Sequence, residues 1–68
     1  SPKEDISLFL RVNQPFGKVK YTVRSGDEVL ATAVRLKAAP GEMEKITVKA
    51  EKFKNISKEI TVSLEEVQ

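Results

Sequence analysis

Residues 19–30, VKYTVRSGDEVL, are the stretch that decides the fold class. Val19, Tyr21 and Val23 alternate with polar residues, and a period of two is typical of a β-strand with one buried face. Ser25-Gly26-Asp27 follows at once and predicts a tight hairpin turn. A strand that leads through a short turn into a second strand indicates an antiparallel sheet.

The return strand of this hairpin is predicted over residues 28–37, and its register is ambiguous. The two candidate faces are Leu30, Thr32, Val34 and Leu36 on one side, and Val29, Ala31, Ala33 and Arg35 on the other. We choose Leu30, Val34 and Leu36 as the buried set because their side chains are larger and more apolar.

Three further segments carry the same alternation. Their inward positions are predicted to be Ile6, Leu8, Leu10 and Val12 in the first, Ile46, Val48 and Ala50 in the second, and Ile60, Val62 and Leu64 in the third. Phe9 interrupts the polar face of the first segment, so we expect it to be either an exposed patch residue or a contact with a neighbouring domain. Phe53 and Ile56 stand three residues apart, which suits one helical turn or a loop held by two apolar anchors.

Five strands in 68 residues predict an all-β fold. We expect residues 1–68 to form a single domain, a small immunoglobulin-like or fibronectin-like β-sandwich of about five to seven strands. A small open barrel is the alternative. The chain begins at Ser1 without a Met, and we expect it to be a domain excised from the C-terminal end of a larger protein.

The composition excludes several kinds of chemistry. The chain has no Cys and no His, which removes disulfides, thiolate and histidine zinc sites, and the commonest general base. Three carboxylate pairs are present, Glu4-Asp5, Asp27-Glu28 and Glu65-Glu66, and each lacks the further oxygen ligands that calcium needs. No glycine pattern predicts a phosphate loop. We therefore expect no catalytic, cofactor-binding or metal-binding residue, and no enzyme activity of the domain on its own.

The charges give no specific support for a nucleic-acid partner. The 12 Lys and Arg and the 10 Asp and Glu, for a net charge of +2, are interspersed along the chain. Nucleic-acid-binding proteins usually cluster their basic residues on one face. A nucleic-acid-binding barrel, whose affinity would fall steeply with salt, is the weakest of the alternatives. No apolar run approaches the length that spans a membrane, so we expect neither partner.

Pro40-Gly41-Glu42-Met43 is the most distinctive local segment, and two interpretations compete. In the first it is a plain turn between strands, with Met43 packed inward. In the second it belongs to a surface that contacts another domain. The candidate docking surface consists of Phe9, Phe16, Arg35, Glu42 and Met43.

The order of segments resembles a known family. The segments that carry the resemblance are Leu8-Phe9-Leu10-Arg11-Val12, Gln14-Pro15-Phe16, residues 18–24, residues 25–30, and Ala39-Pro40-Gly41-Glu42-Met43. Together they are similar to the small C-terminal β domain of bacterial FAD- and NAD(P)-dependent oxidoreductases of the pyridine nucleotide-disulfide oxidoreductase group. The similarity covers about two-thirds of the chain.

The resemblance implies a non-catalytic accessory domain. In that family the flavin and nicotinamide domains lie upstream, so FAD and NAD(P) would be bound by the parent protein and none of their ligands would lie here. The expected partners are the upstream domains of the same polypeptide, in a cytoplasmic enzyme, and the sequence allows an oligomer. The expected role is domain packing or assembly.

A second resemblance competes with the first. Residues 41–64 resemble the carboxypeptidase-regulatory-like or PEGA-type β modules, which lead from a Pro-Gly turn into a strand and close with another strand. Their usual Gly-Tyr before the closing strand is replaced here by Lys52-Phe53. This alternative implies a structural or binding module of an extracytoplasmic protein, in the periplasm or at the cell surface.

Overall fold

The computed structural model describes residues 4–53 and 59–68, and all of its regular elements except one helical turn are β-strands. The strands are β1 (Ile6–Leu10), β2 (Val19–Ser25), β3 (Glu28–Arg35), β4 (Glu44–Val48) and β5 (Ile60–Glu66). A single-turn 3-10 helix (Ala50–Phe53) follows β4. The prediction of an all-β fold is therefore confirmed.

The strands form two antiparallel sheets, one of three strands and one of two. In the larger sheet β2 lies between β3 and β5. In the smaller sheet β1 pairs with β4, from Ile6 opposite Val48 to Leu10 opposite Glu44. In the described part of the chain, β1 and β5 therefore each have one edge without a neighbouring strand.

The two sheets pack on a common core built around one face of β2. Val19, Tyr21 and Val23 are at most 1% exposed, as the alternation predicts. The remaining buried members of the core are Leu30, Ala38, Ile46 and Val48. Because full burial of a large apolar side chain is worth about 1.5–3 kcal/mol, this small set supplies much of the drive to fold.

The hairpin predicted at residues 25–27 is confirmed. Gly26 and Asp27 form the turn, and Ser25 pairs with Glu28. Gly26 has a φ of 60°, and it is the only described residue with a positive φ. A positive φ at the first turn position alone is the pattern of a type II′ turn, whose twist matches that of the flanking strands.

The register predicted for β3 is wrong beyond Leu30. Leu30 is buried as expected, but Val34 is 52% exposed and Leu36 is 82% exposed. The larger side chains are therefore not the inward set along the whole strand. The cause is a β-bulge, in which two residues of one strand face a single residue of its neighbour.

The bulge lies opposite the step from Val23 to Arg24 of β2. Val23 pairs with Ala31, but Arg24 pairs with Val29, so Leu30 is the extra residue. The two faces of β3 exchange roles at this point. The half-buried positions beyond the bulge are Ala31, Ala33 and Arg35.

The turn before β4 is confirmed, but the inward position of Met43 is not. The Glu42 amide donates a hydrogen bond to the Ala39 carbonyl oxygen at 3.0 Å, which closes a four-residue turn. Met43 precedes β4 and is 53% exposed. Phe53 packs against the core from the 3-10 helix, whereas Ile56 lies outside the described residues.

Arg35 connects the two sheets on the side where β3 approaches β4. Its Nε donates to Glu44 Oε1 at 2.9 Å, and its Nη2 donates to the Lys45 carbonyl oxygen at 3.2 Å. On the opposite side no polar contact joins β1 to β5 within the described ranges. Polar contacts thus join the two sheets on the β3–β4 side (the tied side), whereas the described residues show none on the β1–β5 side (the open side).

We expect Val23→Asp to unfold the protein, because an unpaired charge in this core costs several kcal/mol against a total stability of about 5–15 kcal/mol. The matched control is Val34→Asp, which places the same charge on the exposed face of the neighbouring strand. Circular dichroism during thermal unfolding checks both variants. A Val23→Asp protein that melts like the unmodified chain would contradict the inward register of β2.

Candidate functional site

An apolar groove lies along the open side of the fold. Its walls are formed by β1 with the segment that follows it, and by β5, and its volume is about 690 Å³. Tyr21 and Phe16 also line it. Sites that bind small molecules or peptide side chains commonly have volumes of about 300–1,000 Å³, so the groove is large enough to hold a ligand.

The β5 wall contains the three apolar side chains predicted to point inward, Ile60, Val62 and Leu64. Val62 pairs with Val23 and Leu64 with Tyr21, so these residues do lie on the core side of the sheet. Nevertheless Ile60 is 40% exposed and Val62 is 43% exposed. The predicted burial of Ile60 and Val62 is wrong because the smaller sheet packs on β2 and β3 and does not cover them, whereas Leu64 is half-buried against the core.

The β1 wall combines a packed inner face with an exposed outer face. Leu8, Leu10 and Val12 pack against the core while remaining partly accessible from the groove. Phe9 points away from them and is 62% exposed, as predicted from its position in the alternation. Arg11 also lines the groove, and it has no hydrogen bond or ion pair to another described residue.

Tyr21 lines the groove, but its hydroxyl is buried inside the protein. The side chain is 1% exposed, and its hydroxyl has no hydrogen-bond partner within the part of the chain described. Burial raises the pKa of Tyr21, and the nearby carboxylate of Glu44 adds to the increase, while the Arg35 guanidinium opposes it. An unpaired buried hydroxyl normally costs free energy, and this one is enclosed by the protein within reach of the charges of Glu44 and Arg35.

The five residues of the candidate docking surface are distributed over two sides of the molecule. Phe9 and Phe16 both line the groove. Arg35 binds Glu44 on the tied side of the sheets, and its side chain is committed to the fold. Glu42 and Met43 are exposed in the loop immediately before Glu44. The structure thus brings two of the five to the groove and places the other three at the opposite side.

The predicted carboxylate pairs occupy turns and strand ends. Within residues 4–53 and 59–68 no cluster of three or more Asp and Glu side chains could hold a metal ion. Asp5 has a structural role, because its Oδ1 accepts a hydrogen bond from the Ala50 amide at 3.0 Å and its Oδ2 lies 3.4 Å from Lys49 Nζ. The Ala50 hydrogen bond, assisted by Lys49, lowers the pKa of Asp5.

Sequence reasoning missed the groove itself, although two signals were available. Residues 60–64, ITVSL, and residues 6–10, ISLFL, contain no charge and no Pro. Natural edge strands commonly carry such residues to block unwanted pairing. Two uncharged stretches in one small sheet protein are therefore a sequence signal of strand edges or faces without the usual protection. No feature of the sequence pattern predicts that the Tyr21 hydroxyl lacks a hydrogen-bond partner among the described residues.

We expect the Tyr21 phenol to ionise at a higher pH than the ordinary value of about 10. Because the unfolded chain loses this proton first, the stability due to the neutral buried phenol is fully present below about pH 10 and is lost as the pH rises through the folded-state pKa. Tyr21 is the single Tyr of the chain, so tyrosinate absorbance reports it alone. Ionisation of the folded protein at the ordinary value would contradict the burial.

We expect Tyr21→Phe to leave the free energy of unfolding unchanged or to raise it by about 1 kcal/mol, because it removes a buried hydroxyl that lacks a partner. Urea unfolding at neutral pH measures the effect. Tyr21→Ala is the control, since loss of the ring should cost about 3–5 kcal/mol. Destabilisation of Tyr21→Phe by more than 1 kcal/mol would mean that the hydroxyl is already satisfied in the isolated protein.

The groove offers burial of apolar surface, one cation, and the polar side chains of Asn13 and Ser63. These groups can hold a ligand through apolar contact, charge and hydrogen bonds. No described helix has the length and hydrophobicity needed to cross a bilayer. Comparisons of the chain with family models, with curated proteins and with solved structures find no match.

Proposed function

We propose that this chain is a non-catalytic accessory domain of a flavin- and nicotinamide-dependent oxidoreductase, where it contributes to domain packing or assembly. The parent class comes from the resemblance of residues 8–43 to the C-terminal β domains of such enzymes. In this proposal the two packed sheets are an immunoglobulin-like sandwich of the minimal five strands. FAD and NAD(P) are bound by other domains, and the protein is cytoplasmic.

The observation that carries the docking role is the uncovered apolar face beside β5. Ile60 and Val62 lie on the core side of their sheet yet remain exposed, and Phe9 is exposed on the opposite wall. Exposed apolar residues that form a contiguous surface commonly mark contacts with another protein or domain. A partner that covers this groove would complete the packing that the smaller sheet leaves unfinished.

The residues around the groove support a non-catalytic role. No carboxylate lines it in the described structure, and the chain has no His or Cys. Arg11, Asn13 and Ser63 are its polar lining residues apart from Tyr21. Such groups can orient a bound segment through hydrogen bonds, but they do not form a nucleophile with an adjacent base.

A second function is supported by the same groove and by the resemblance of residues 41–64 to PEGA-type modules. In this alternative the domain is a structural or binding module of an extracytoplasmic protein, and the groove receives a neighbouring module or a separate protein. The two functions differ in what the coding sequence on the 5′ side of the Ser1 codon should contain. The first predicts a strand followed by GxGxxG, and the second predicts a signal peptide or repeated β modules.

We expect Phe9→Ser to weaken the packing of the domain on its flavoprotein partner. The burial of one Phe side chain is worth about 1.5–3 kcal/mol, so affinity should fall by about tenfold to a hundredfold. The measurement is titration of the 68-residue chain into the flavin- and nicotinamide-binding domains of the parent, followed by calorimetry.

The matched control is Leu36→Ser. Leu36 is 82% exposed, more than Phe9, but it lies outside the groove. This variant should bind like the unmodified chain. Equal losses from both variants would place the contact elsewhere, and an absence of any binding by the unmodified chain would remove the oxidoreductase proposal.

A further inference from the structure

We propose that the groove binds an extended peptide strand, which adds to the free edge of β5 as a fourth strand of the larger sheet. The peptide has apolar side chains at alternate positions and a carboxylate that pairs with Arg11. This inference rests on the proposed docking role of the groove and specifies the chemistry of what docks there. It is carried by the hydrogen-bonding groups of β5, the chemistry of its edge, and the charge of Arg11 in the groove, which is unpaired among the described residues.

The backbone of β5 presents alternate residues to its free edge. The Val67 amide donates to the Lys18 carbonyl oxygen at 2.9 Å, which continues the regular pairing of β5 with β2. In an antiparallel pair the hydrogen-bonded residues alternate along each strand. The groups that point away from β2 are therefore the amides and carbonyls of Ile60, Val62, Leu64 and Glu66.

The same alternate residues direct their side chains into the groove. Ile60, Val62 and Leu64 line one wall, on the face that β5 shares with Tyr21 and Val23. A strand paired with β5 would place every second side chain on that face as well. These side chains would cover the exposed apolar surface, while the backbone would satisfy the free edge.

Most of the β5 edge lacks the features that protect the edges of β3 and β4. Residues 60–64 contain no charge and no Pro, the two charges of β5 lie at its end in Glu65 and Glu66, and the pairing of β5 with β2 shows no bulge. By contrast, β3 carries the bulge at Leu30, and β4 begins with Glu44-Lys45. Charges and bulges are the usual means of preventing edge pairing, so β5 is better suited to strand addition than β3 or β4.

The charge in the groove indicates an acidic group on the peptide. Arg11 is the one charged residue that lines the groove in the described structure, and it has no ion pair there. Two other basic side chains, by contrast, already form ion pairs within the protein. Arg35 binds Glu44, and Lys49 binds Asp5. A guanidinium that is free beside an apolar surface is suited to bind a carboxylate.

The first experiment uses a synthetic peptide in which a glutamate precedes alternating valine and threonine. We expect it to bind the 68-residue chain and to slow amide hydrogen exchange at Val62 and Leu64, whose amides point to the free edge. Exchange at Ser63 should change little, because its amide already faces β2. Binding without this alternation of protected amides would overturn strand addition.

Two variant pairs test the two interactions separately. Val62→Pro removes a free-edge amide at a position where an edge strand tolerates Pro, and we expect affinity to fall by about tenfold. Val62→Thr keeps the amide and nearly the same shape, and should retain most of the affinity. Circular dichroism checks that both variants fold.

Arg11→Gln should lower the affinity for the acidic peptide by about tenfold or more, since hydrogen bonds to charged groups are the stronger ones. It should not lower the affinity for a control peptide with glutamine in place of glutamate. Lys45→Gln, which removes a charge outside the groove lining, is the matched control and should leave both affinities unchanged. Equal effects of Arg11→Gln on the two peptides would refute the carboxylate pairing.

Other occupants of the groove give different results. If the chain alone forms dimers in sedimentation experiments, with the same alternate amides protected, a second copy fills the edge and the proposal is wrong. If a scrambled peptide or a fatty acid binds as well as the alternating peptide, the groove recognises apolar matter without strand pairing. Binding to the flavoprotein domains without any peptide binding would leave the docking role intact and refute strand addition alone.

Discussion

Burial of one face of β2 is the constraint on which the rest of this structure depends. β2 is hydrogen-bonded on both sides, and Val19, Tyr21 and Val23 are the best-buried residues of the larger sheet. The smaller sheet is positioned by its contact with this face, through Ile46 and Val48. A chain of 68 residues has few side chains with which to build a core. Among the described residues, those that cover β2 leave Ile60 and Val62 of β5 exposed, and the groove lies beside them.

The strands were predictable because alternation with a period of two is a local property. It identified all five strands in the described residues, and the type II′ turn followed from Gly26 and its neighbours. The faces of β3 were not predictable, since an extra residue at Leu30 is allowed only by the pairing of β3 with β2. Side-chain size favoured Val34 and Leu36 as inward residues, but a bulge exchanges the two faces whatever their size.

The candidate site was predictable only in part, for the same reason. Phe9 was expected to be exposed or in contact with a neighbour, because it lies opposite Leu8 and Leu10 in the alternation. Arg35 was assigned to the docking surface, but its partners Glu44 and Lys45 belong to the other sheet. Which strand remains uncovered depends on how the two sheets are placed over each other. That placement is a tertiary property, and the periodicity of one strand does not contain it.

The contacts of Arg35 have a mechanical consequence. Its guanidinium joins the two sheets at the β3–β4 side, where the neighbouring Glu44 side chain is largely buried. No comparable bond spans β1 and β5 in the described segments. The two sheets are therefore held together at the β3–β4 side and free to separate at the β1–β5 side. Any breathing motion between them would have its greatest amplitude at the groove and its smallest amplitude at Arg35. The groove would then widen for a large ligand without breaking the hydrogen bonds within either sheet.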